Sequence, residues 1–321
     1  MGAHNWSYDA DVGIYKNHAI SNDLKMVAVG ACKLLPFTSP VSGFGKKKGE
    51  TINIMHIKEL PDAADSTLSE DTRIPVDKLE WGNRALTVTE WGRGAEYTHL
   101  NEQLSKFDPG SQIQKALTRQ MNRALDTGVG AAMQSTDVKI CFIPTSLTGG
   151  TFDTDGTPST VATSNLTAEH MGLLADYLDG NIHCPPYNKG DEYIMVSCRK
   201  TLRGLKDDRR VQEVHNYLQK GALFFNGEIG MIENIRMVQI SREDAISNTA
   251  GTSTVLGNAV LFGDEAIARV EVEAPELRAQ PNTNSDFGRV NAVAWYGILC
   301  FGSYWSSASD GESKIIRITS A

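Results

Sequence analysis

Hydrophobic and polar residues alternate in two short segments of the N-terminal third of the chain. Ile52 and Ile54 alternate with polar residues within residues 51–57, and a second alternating segment spans residues 85–91. A period of two predicts β-strands with one buried face. Because a polar stretch separates these strands, residues 46–98 are predicted to form a long β-hairpin excursion.

This hairpin carries little apolar surface with which to stabilise itself. An isolated two-stranded ribbon is marginally stable in water, so we expect the excursion to rest on another subunit. Trp81 and Trp91 also lie on it, and tryptophan is enriched at interface hot spots. Ile52, Ile54, Trp81 and Trp91 are therefore predicted intersubunit contacts. A small aromatic cluster within the chain is the alternative interpretation for the two tryptophans.

A helical period predicts the longest helix of the chain at residues 108–134. Asp108 suits the N-cap position and Pro109 the first helical position. An apolar stripe follows one face at Ile113, Leu117, Met121, Ala124, Leu125, Gly128 and Ala132. A basic stripe follows another face, where Lys115, Arg119 and Arg123 are spaced four residues apart.

Helical and extended segments mix irregularly in the rest of the chain. A helix is predicted to begin at Thr167, and a strand is predicted at residues 193–196. Residues 255–262, 269–272 and 290–301 are interpreted as further strands or mixed segments. This order favours an α+β fold over a doubly wound βαβ fold.

Two stretches of the chain lack a regular hydrophobic pattern. Residues 1–45 show no sustained period, and prolines and glycines interrupt their apolar positions. They are interpreted as an extended arm that needs another surface to lie on. The polar stretch at residues 247–254 predicts a mobile loop.

Charge and targeting signals narrow the class of protein. The formal net charge is −8, which argues against a dedicated nucleic-acid binder and against docking on anionic membranes. The N-terminus lacks a signal-peptide pattern, and the apolar runs are too short to span a bilayer. Five dispersed cysteines without Cys-x-x-Cys spacing indicate reduced thiols. We therefore expect synthesis in cytoplasm.

Motifs for catalysis or cofactor binding are missing from the sequence. There is no phosphate-loop or dinucleotide fingerprint, no Gly-x-Ser-x-Gly elbow and no histidine pair at zinc-site spacing. His183 and Cys184 are adjacent, but such a pair beside two prolines is more often loop structure than a ligand set. No catalytic, metal-binding or cofactor-binding residue is predicted. A soluble enzyme with an unrecognised site is kept as one alternative.

Several short motifs, in order along residues 45–318, resemble the HK97-like major capsid proteins of tailed phages. The resemblance is strongest to the family of the phage N4 coat protein. The motifs are Gly49–Ile54, Leu68–Pro75, Leu86–Arg93, Glu96–Thr98, Leu166–Glu169, Phe225–Gly230, Asp264–Ala266, Asp286–Arg289 and Ala294–Gly297. Their shared order along the chain carries the resemblance.

The resemblance implies an α+β, HK97-like capsid fold and a division of the chain. The implied segments are an N-terminal arm (1–45), an extended β-hairpin loop (46–98), a peripheral domain with a long spine helix (99–145), an axial domain (146–254), and a return to the peripheral domain with C-terminal strands (255–321).

The implied function is that of a major capsid protein, not an enzyme. Copies of the chain would assemble as pentamers and hexamers into an icosahedral head shell enclosing a double-stranded DNA genome. The expected partners are a separate scaffolding protein, a portal and a decoration protein, with no cofactor and no membrane. The expected location is the virion, after synthesis in the host bacterial cytoplasm. An encapsulin-type cellular shell is the alternative within the same fold.

The basic stripe of the long helix has two interpretations. Lys115, Arg119 and Arg123 form either a solvated helix face or a surface that contacts packaged DNA or an acidic neighbouring subunit. The second interpretation is a hypothesis.

Overall fold

The computed structural model describes most of the chain. The described residues are 34–42, 45–57, 60, 67–68, 70–71, 73–74, 76–142, 150–153, 162, 164–187, 192–217, 230–246, 257–282, 289–305 and 314–320. Several predictions lie outside them, namely those for most of the arm, for much of the middle of the excursion, for the turn at 225–229 and for the loop at 247–254. No helix in the described part of the chain is long and apolar enough to cross a membrane.

Helices and strands alternate irregularly, as the α+β prediction requires. The strands are β1 (Ser39–Pro40), β2 (Thr51–Ile57), β3 (Trp81–Thr87), β4 (Thr89–Thr98), β5 (Lys139–Phe142), β6 (Gly150–Asp153), β7 (Tyr193–Ser197), β8 (Met231–Ile232), β9 (Ile235–Gln239), β10 (Gly257–Phe262), β11 (Ile267–Asn282), β12 (Val290–Ser303) and β13 (Ile315–Ser320). The α-helices are α1 (His99–Leu104), α2 (Pro109–Met133), α3 (Ala168–Tyr177), α4 (Arg199–Asp207) and α5 (Arg209–Tyr217).

A seven-stranded sheet forms the larger core, in the order β6-β5-β13-β10-β7-β9-β8. Alternate side chains of its strands point to opposite faces. Met195 and Leu261 pack with α3, α4 and α5 on one face. Val196 and Val260 pack with the C-terminal end of α2 on the other face. Because both faces are covered, every residue of β7 is buried, as expected for a continuous apolar strand.

A second sheet of four strands, in the order β1-β11-β12-β4, supports the long helix α2. Leu117 of α2 packs with Val293 and Trp295 of β12 in a small buried cluster. β11 runs to Asn282, far beyond the predicted strand at 269–272. Its pairing with β12 has register irregularities between Glu271 and Glu276, where β-bulges allow the strand to continue.

The sequence predicts α2 almost to the residue. The Asp108 carboxylate accepts hydrogen bonds from the backbone N–H groups of Gly110 at 3.1 Å and Ser111 at 3.2 Å. Pro109 occupies the first turn, and the helix ends at Met133. The α2 helix is therefore the long helix that the pattern at 108–134 predicted.

The predicted hairpin is present, but the bounds predicted for its return strand are wrong. β2 pairs antiparallel with β3, from Thr51 opposite Thr87 to Ile57 opposite Trp81. The predicted strand at 85–91 is in fact the junction of β3 and β4 at Val88. These two strands belong to different sheets, so the alternation continues while the pairing partner changes.

The last part of the predicted arm packs against its own subunit. Leu34 is fully buried, and its backbone N–H donates a 2.8 Å hydrogen bond to the Asp126 carboxylate of α2. β1 pairs in parallel with β11. The expectation that the arm finds no surface to lie on within its own subunit is therefore wrong for residues 34–42.

The predicted segments do not separate the two sheets. Segment 99–145 contributes β5, segment 146–254 contributes β6 to β9, and segment 255–321 contributes β10 and β13 to the same seven-stranded sheet. The assignment of these segments to peripheral and axial domains stays a prediction.

Candidate assembly surfaces

Exposed apolar side chains are concentrated in one region of the described chain, the ribbon formed by β2, β3 and the residues between them. Of the twelve exposed large hydrophobic residues among those described, eight lie within residues 55–81. They are Met55, Ile57, Leu60, Leu68, Ile74, Val76, Leu79 and Trp81. Such a concentration of exposed apolar side chains is typical of an interaction surface.

The two faces of the ribbon differ in what covers them. On the inner face, Ile52 and Ile54 pack with Leu86 against Ala268 and Val270 of the four-stranded sheet. On the outer face, alternate residues of the same strands are exposed. The base of the ribbon is therefore anchored to its own subunit, while its outer face has no cover from the described residues.

A second contact holds the inner face farther along the ribbon. The His56 ring lies 4.9 Å from the Trp305 ring, measured between centroids. The Lys314 ammonium lies 3.8 Å from the centroid of the same indole, a cation–π geometry. Gly82, directly opposite His56, leaves room for the imidazole, because a Cβ there would meet it at 2.0 Å.

The four predicted intersubunit residues fall into two groups. Trp91 packs edge-on against Phe301 at 6.2 Å between ring centroids, and its indole N–H donates to the Thr89 hydroxyl at 2.9 Å. Trp91 thus forms the local aromatic cluster that the sequence left as an alternative, and Ile52 and Ile54 also pack within the chain. Trp81 differs, since it is 60% exposed. Contact of all four residues with a neighbour stays a prediction.

The basic stripe of α2 is exposed at Lys115, Arg119 and Arg123. Its C-terminal end is tied to other groups. The Arg242 guanidinium donates to the Arg123 backbone carbonyl at 3.0 Å and to the Asp244 carboxylate at 2.9 Å. The hydrogen bond from Arg242 lowers the pKa of Asp244, and the charge of Arg123 adds to that effect. A carboxylate therefore stays ionised near this end of the stripe.

A second basic stripe, which the sequence interpretation did not single out, lies on α4. Arg199 and Arg203 are exposed and Lys206 is half-buried. The signal was present in the sequence as four positive residues, without a negative one, in residues 199–206. We refer to Arg199, Arg203 and Lys206 as the α4 stripe.

The remaining candidate groups are metal-binding and nucleophilic side chains. No cluster of three or more His, Cys, Asp or Glu side chains there has the geometry to hold a metal ion. His183 is exposed and Cys184 is buried. Burial raises the pKa of the Cys184 thiol to about 12, so this thiol stays protonated and is a poor nucleophile.

Comparison with known proteins gives a match in structure but not in sequence. No protein-family model matches the chain, and no curated protein matches it. A cyanophage Pam1 capsid subunit superposes with a TM-score of 0.74 at 14% identity, covering all of both chains. A capsid subunit of Helicobacter pylori bacteriophage KHP30 gives 0.69 at 12% identity, covering 99% of this chain and 100% of the other.

The capsid of Ralstonia phage GP4 gives a third match, with a TM-score of 0.64 at 13% identity over 98% of each chain. All three matches span essentially the whole of both chains. This protein therefore has the fold of phage capsid subunits. The predicted α+β, HK97-like capsid fold is confirmed.

Proposed function

We propose that this chain is the major capsid protein of a tailed bacteriophage, whose copies assemble into an icosahedral head shell around double-stranded DNA. The observation that carries the proposal is the ribbon, whose eight exposed apolar residues have no cover from the described residues on a chain with the fold of phage capsid subunits. A single folded subunit gains nothing from exposing these groups, whereas a neighbouring copy that covers them gains hydrophobic free energy.

In this mechanism, the exposed apolar residues of the ribbon become buried when a neighbouring subunit contacts them. Each copy offers its ribbon to one neighbour and receives the ribbon of another, which is a head-to-tail contact that closes into rings. Individual contacts are then weak, but several per subunit add up through multivalency. Pentamers and hexamers of the same chain would follow if the ribbon adjusts its angle at the β3–β4 junction.

The remaining parts of the proposal concern partners and location. The expected partners are a separate scaffolding protein, a portal and a decoration protein, with synthesis in the bacterial cytoplasm and a final location in the virion. The order of sequence motifs supports a relationship to the phage N4 coat protein family. We assign the four-stranded sheet with α2 to the peripheral domain and the seven-stranded sheet to the axial domain.

Deletion of residues 62–74 tests the assembly role of the ribbon. We expect a soluble, folded subunit that forms no normal shells under negative-stain electron microscopy, because the deletion leaves both sheets in place. Deletion of the polar segment 247–254 serves as a control and should preserve shells. Normal particles from the ribbon deletion would contradict the proposal.

The wild-type protein separates the remaining alternatives. Purified shells that contain DNA support a phage capsid, whereas shells that enclose a protein and no nucleic acid indicate an encapsulin-type compartment. A small oligomer on gel filtration at every concentration would point instead to the soluble-enzyme alternative.

A further inference from the structure

The α4 helix concentrates positive charge in an otherwise acidic protein. Residues 199–206 carry four positive side chains and no negative one, while the whole chain has a formal net charge of −8. The apolar side of the helix is buried, with Leu202 and Leu205 in the core of the seven-stranded sheet. The opposite side carries these cations together with Asp207 at the C-terminal end of the helix, so α4 is amphipathic and its exposed side is mainly positive.

The α4 stripe forms one continuous row. Arg199, Arg203 and Lys206 are spaced by four and then three residues, which places them on one face of the helix. None of these side chains has an ion-pair partner within the part of the chain that the structure describes. The next two cations are paired, since Arg209 contacts Glu213 and Arg210 contacts Glu169 at 2.8 Å each.

Folding alone does not account for this row. Arg199 occupies the first turn of α4, which has no acidic residue and no side-chain cap from Cys198. The helix dipole disfavours cations at that end, and like charges at i, i+4 spacing repel each other. A sequence that breaks two local rules without a compensating partner is expected at a functional surface.

The α4 stripe and the basic stripe of α2 are the two candidate sites at which a polyanion could bind. The two helices cover opposite faces of the seven-stranded sheet, whereas a packaged genome lies on one side of a shell wall. Arg242 donates to the Arg123 backbone carbonyl and pairs with Asp244 at 2.9 Å, so a carboxylate lies near one end of the α2 stripe, while the α4 stripe has no ion-pair partner among the described residues. The charge distribution therefore favours α4.

We propose that the α4 stripe binds the phosphate backbone of double-stranded DNA without sequence preference. This inference rests on the proposed capsid function. The three cations extend over about 10 Å of helix, and one DNA strand carries a phosphate about every 3.4 Å along its axis. One stripe can therefore neutralise about three phosphates, and repetition over many subunits would hold the genome against the shell wall.

Binding of the unassembled full-length subunit to a short double-stranded DNA, measured by fluorescence anisotropy over a range of salt concentrations, tests the proposal. The variant combines Arg199→Gln, Arg203→Gln and Lys206→Gln. Each phosphate contact contributes about 0.9 to the slope of log affinity against log salt, so this variant should reduce the slope by roughly 2 to 3. A charge-preserving variant, Arg199→Lys with Arg203→Lys, should keep it.

A parallel variant of the α2 stripe, with Lys115, Arg119 and Arg123 changed to glutamine, identifies the competing site. A wild-type slope in the α4 variant, or an equal or larger loss in the α2 variant, would overturn the proposal. Loss of shells in the α4 variant without any change in the DNA slope would also overturn it, in favour of an acidic neighbouring subunit. Wild-type protein that forms no shells would refute the capsid function itself, whatever its DNA binding.

Discussion

The seven-stranded sheet buries its apolar residues, whereas the ribbon leaves many of its apolar residues exposed. In the sheet, β7 and β10 have helices on one face and α2 on the other, and their side chains are nearly all buried. In the ribbon, one face of β2 and β3 packs on the subunit and the other is exposed. β7 is a continuous apolar strand, whereas β2 begins with alternating polar and apolar residues, so the pattern of each strand agrees with the number of faces that the subunit covers.

This difference indicates where each region obtains its stability. The sheet is stabilised within one subunit by two covered faces, and we expect it to fold without neighbours. The ribbon has one anchored face and too few strands for independent stability. Substitutions in the sheet should therefore affect folding, and substitutions on the outer face of the ribbon should affect assembly.

The largest effect is expected for Leu261→Ala in the sheet. Leu261 is fully buried in β10, opposite Met195 of β7 and Ile316 of β13. Truncation of a buried leucine to alanine costs about 2–5 kcal/mol. Urea unfolding of the unassembled subunit should show this loss, whereas Met55→Ala on the outer face of the ribbon should change it by less than about 0.5 kcal/mol. Equal effects would remove the distinction between the two regions.

The two tryptophans of the excursion should separate in the same way. Trp81→Ala should leave subunit stability nearly unchanged but weaken assembly by about 2 kcal/mol, the scale of an interface hot spot. Trp91→Ala should instead destabilise the subunit by about 1–3 kcal/mol, because Trp91 packs on Phe301. Thermal unfolding and the critical concentration for shell formation measure the two effects. A stability loss at Trp81 without an assembly defect would contradict the assignment.

Glycine substitutions sharpen the comparison through steric contact. A Cβ on Gly130 of α2 would lie 1.8 Å from the backbone carbonyl oxygen of Ala245, so Gly130→Ala should cost about 1–3 kcal/mol. The three atoms nearest to a Cβ on Gly82 of the ribbon would all belong to the His56 ring, a side chain that can shift more easily than a backbone carbonyl. Gly82→Ala should therefore change the unfolding free energy of the subunit far less. The reverse order in urea unfolding would mean that the His56 contact supports the whole subunit.

The smallest effect is expected from pH, acting on the helices that cover the sheet. His170 accepts a hydrogen bond from the Thr167 backbone N–H at 3.2 Å, and burial lowers its pKa below 6.5. The unfolded chain takes up this proton first, so the stabilisation is complete above about pH 6.5 and is lost as the pH falls toward the pKa of the folded state. Unfolding curves at neutral and mildly acidic pH measure this loss.

His170→Gln provides the control for the pH effect. Glutamine also suits this position of a capping box but does not titrate, so the variant should lose the acid-dependent part and keep most of the stability at neutral pH. His170→Ala should cost about 1 kcal/mol at neutral pH, because it removes the capping acceptor. An unchanged acid dependence in the glutamine variant would assign the effect to another group.

The sequence predicted those parts of the fold that depend on local signals. Asp108 and Pro109 located the start of α2, and Thr167 located the start of α3, because capping residues act within one turn. The β3–β4 junction at Val88 was missed, since the alternation continues through it while the pairing partner changes. β11 was predicted too short, because Pro275 and Pro281 are unusual inside a strand and only the fold shows that β12 pairs with it on both sides of the irregular region.

The candidate surfaces were harder to predict from sequence than the fold. Alternation gave the faces of β2 but not which of them the subunit itself covers, so Ile52 and Ile54 were grouped with Trp81. The α4 stripe was visible as a basic run, but its meaning depends on which cations find partners. That information comes from Glu169 and Glu213, which pair with the neighbouring arginines and leave the α4 stripe unpaired by the described residues.

Hydrogen exchange of the free subunit and of the assembled shell tests the central claim most directly. Amides of β7 and β10 should be strongly protected in both states, because their strands are covered within one subunit. Amides of β2 and β3 should exchange rapidly in the free subunit and become protected in the shell. Equal, strong protection of the ribbon in both states would show that the subunit is complete alone, and would contradict assembly through the ribbon.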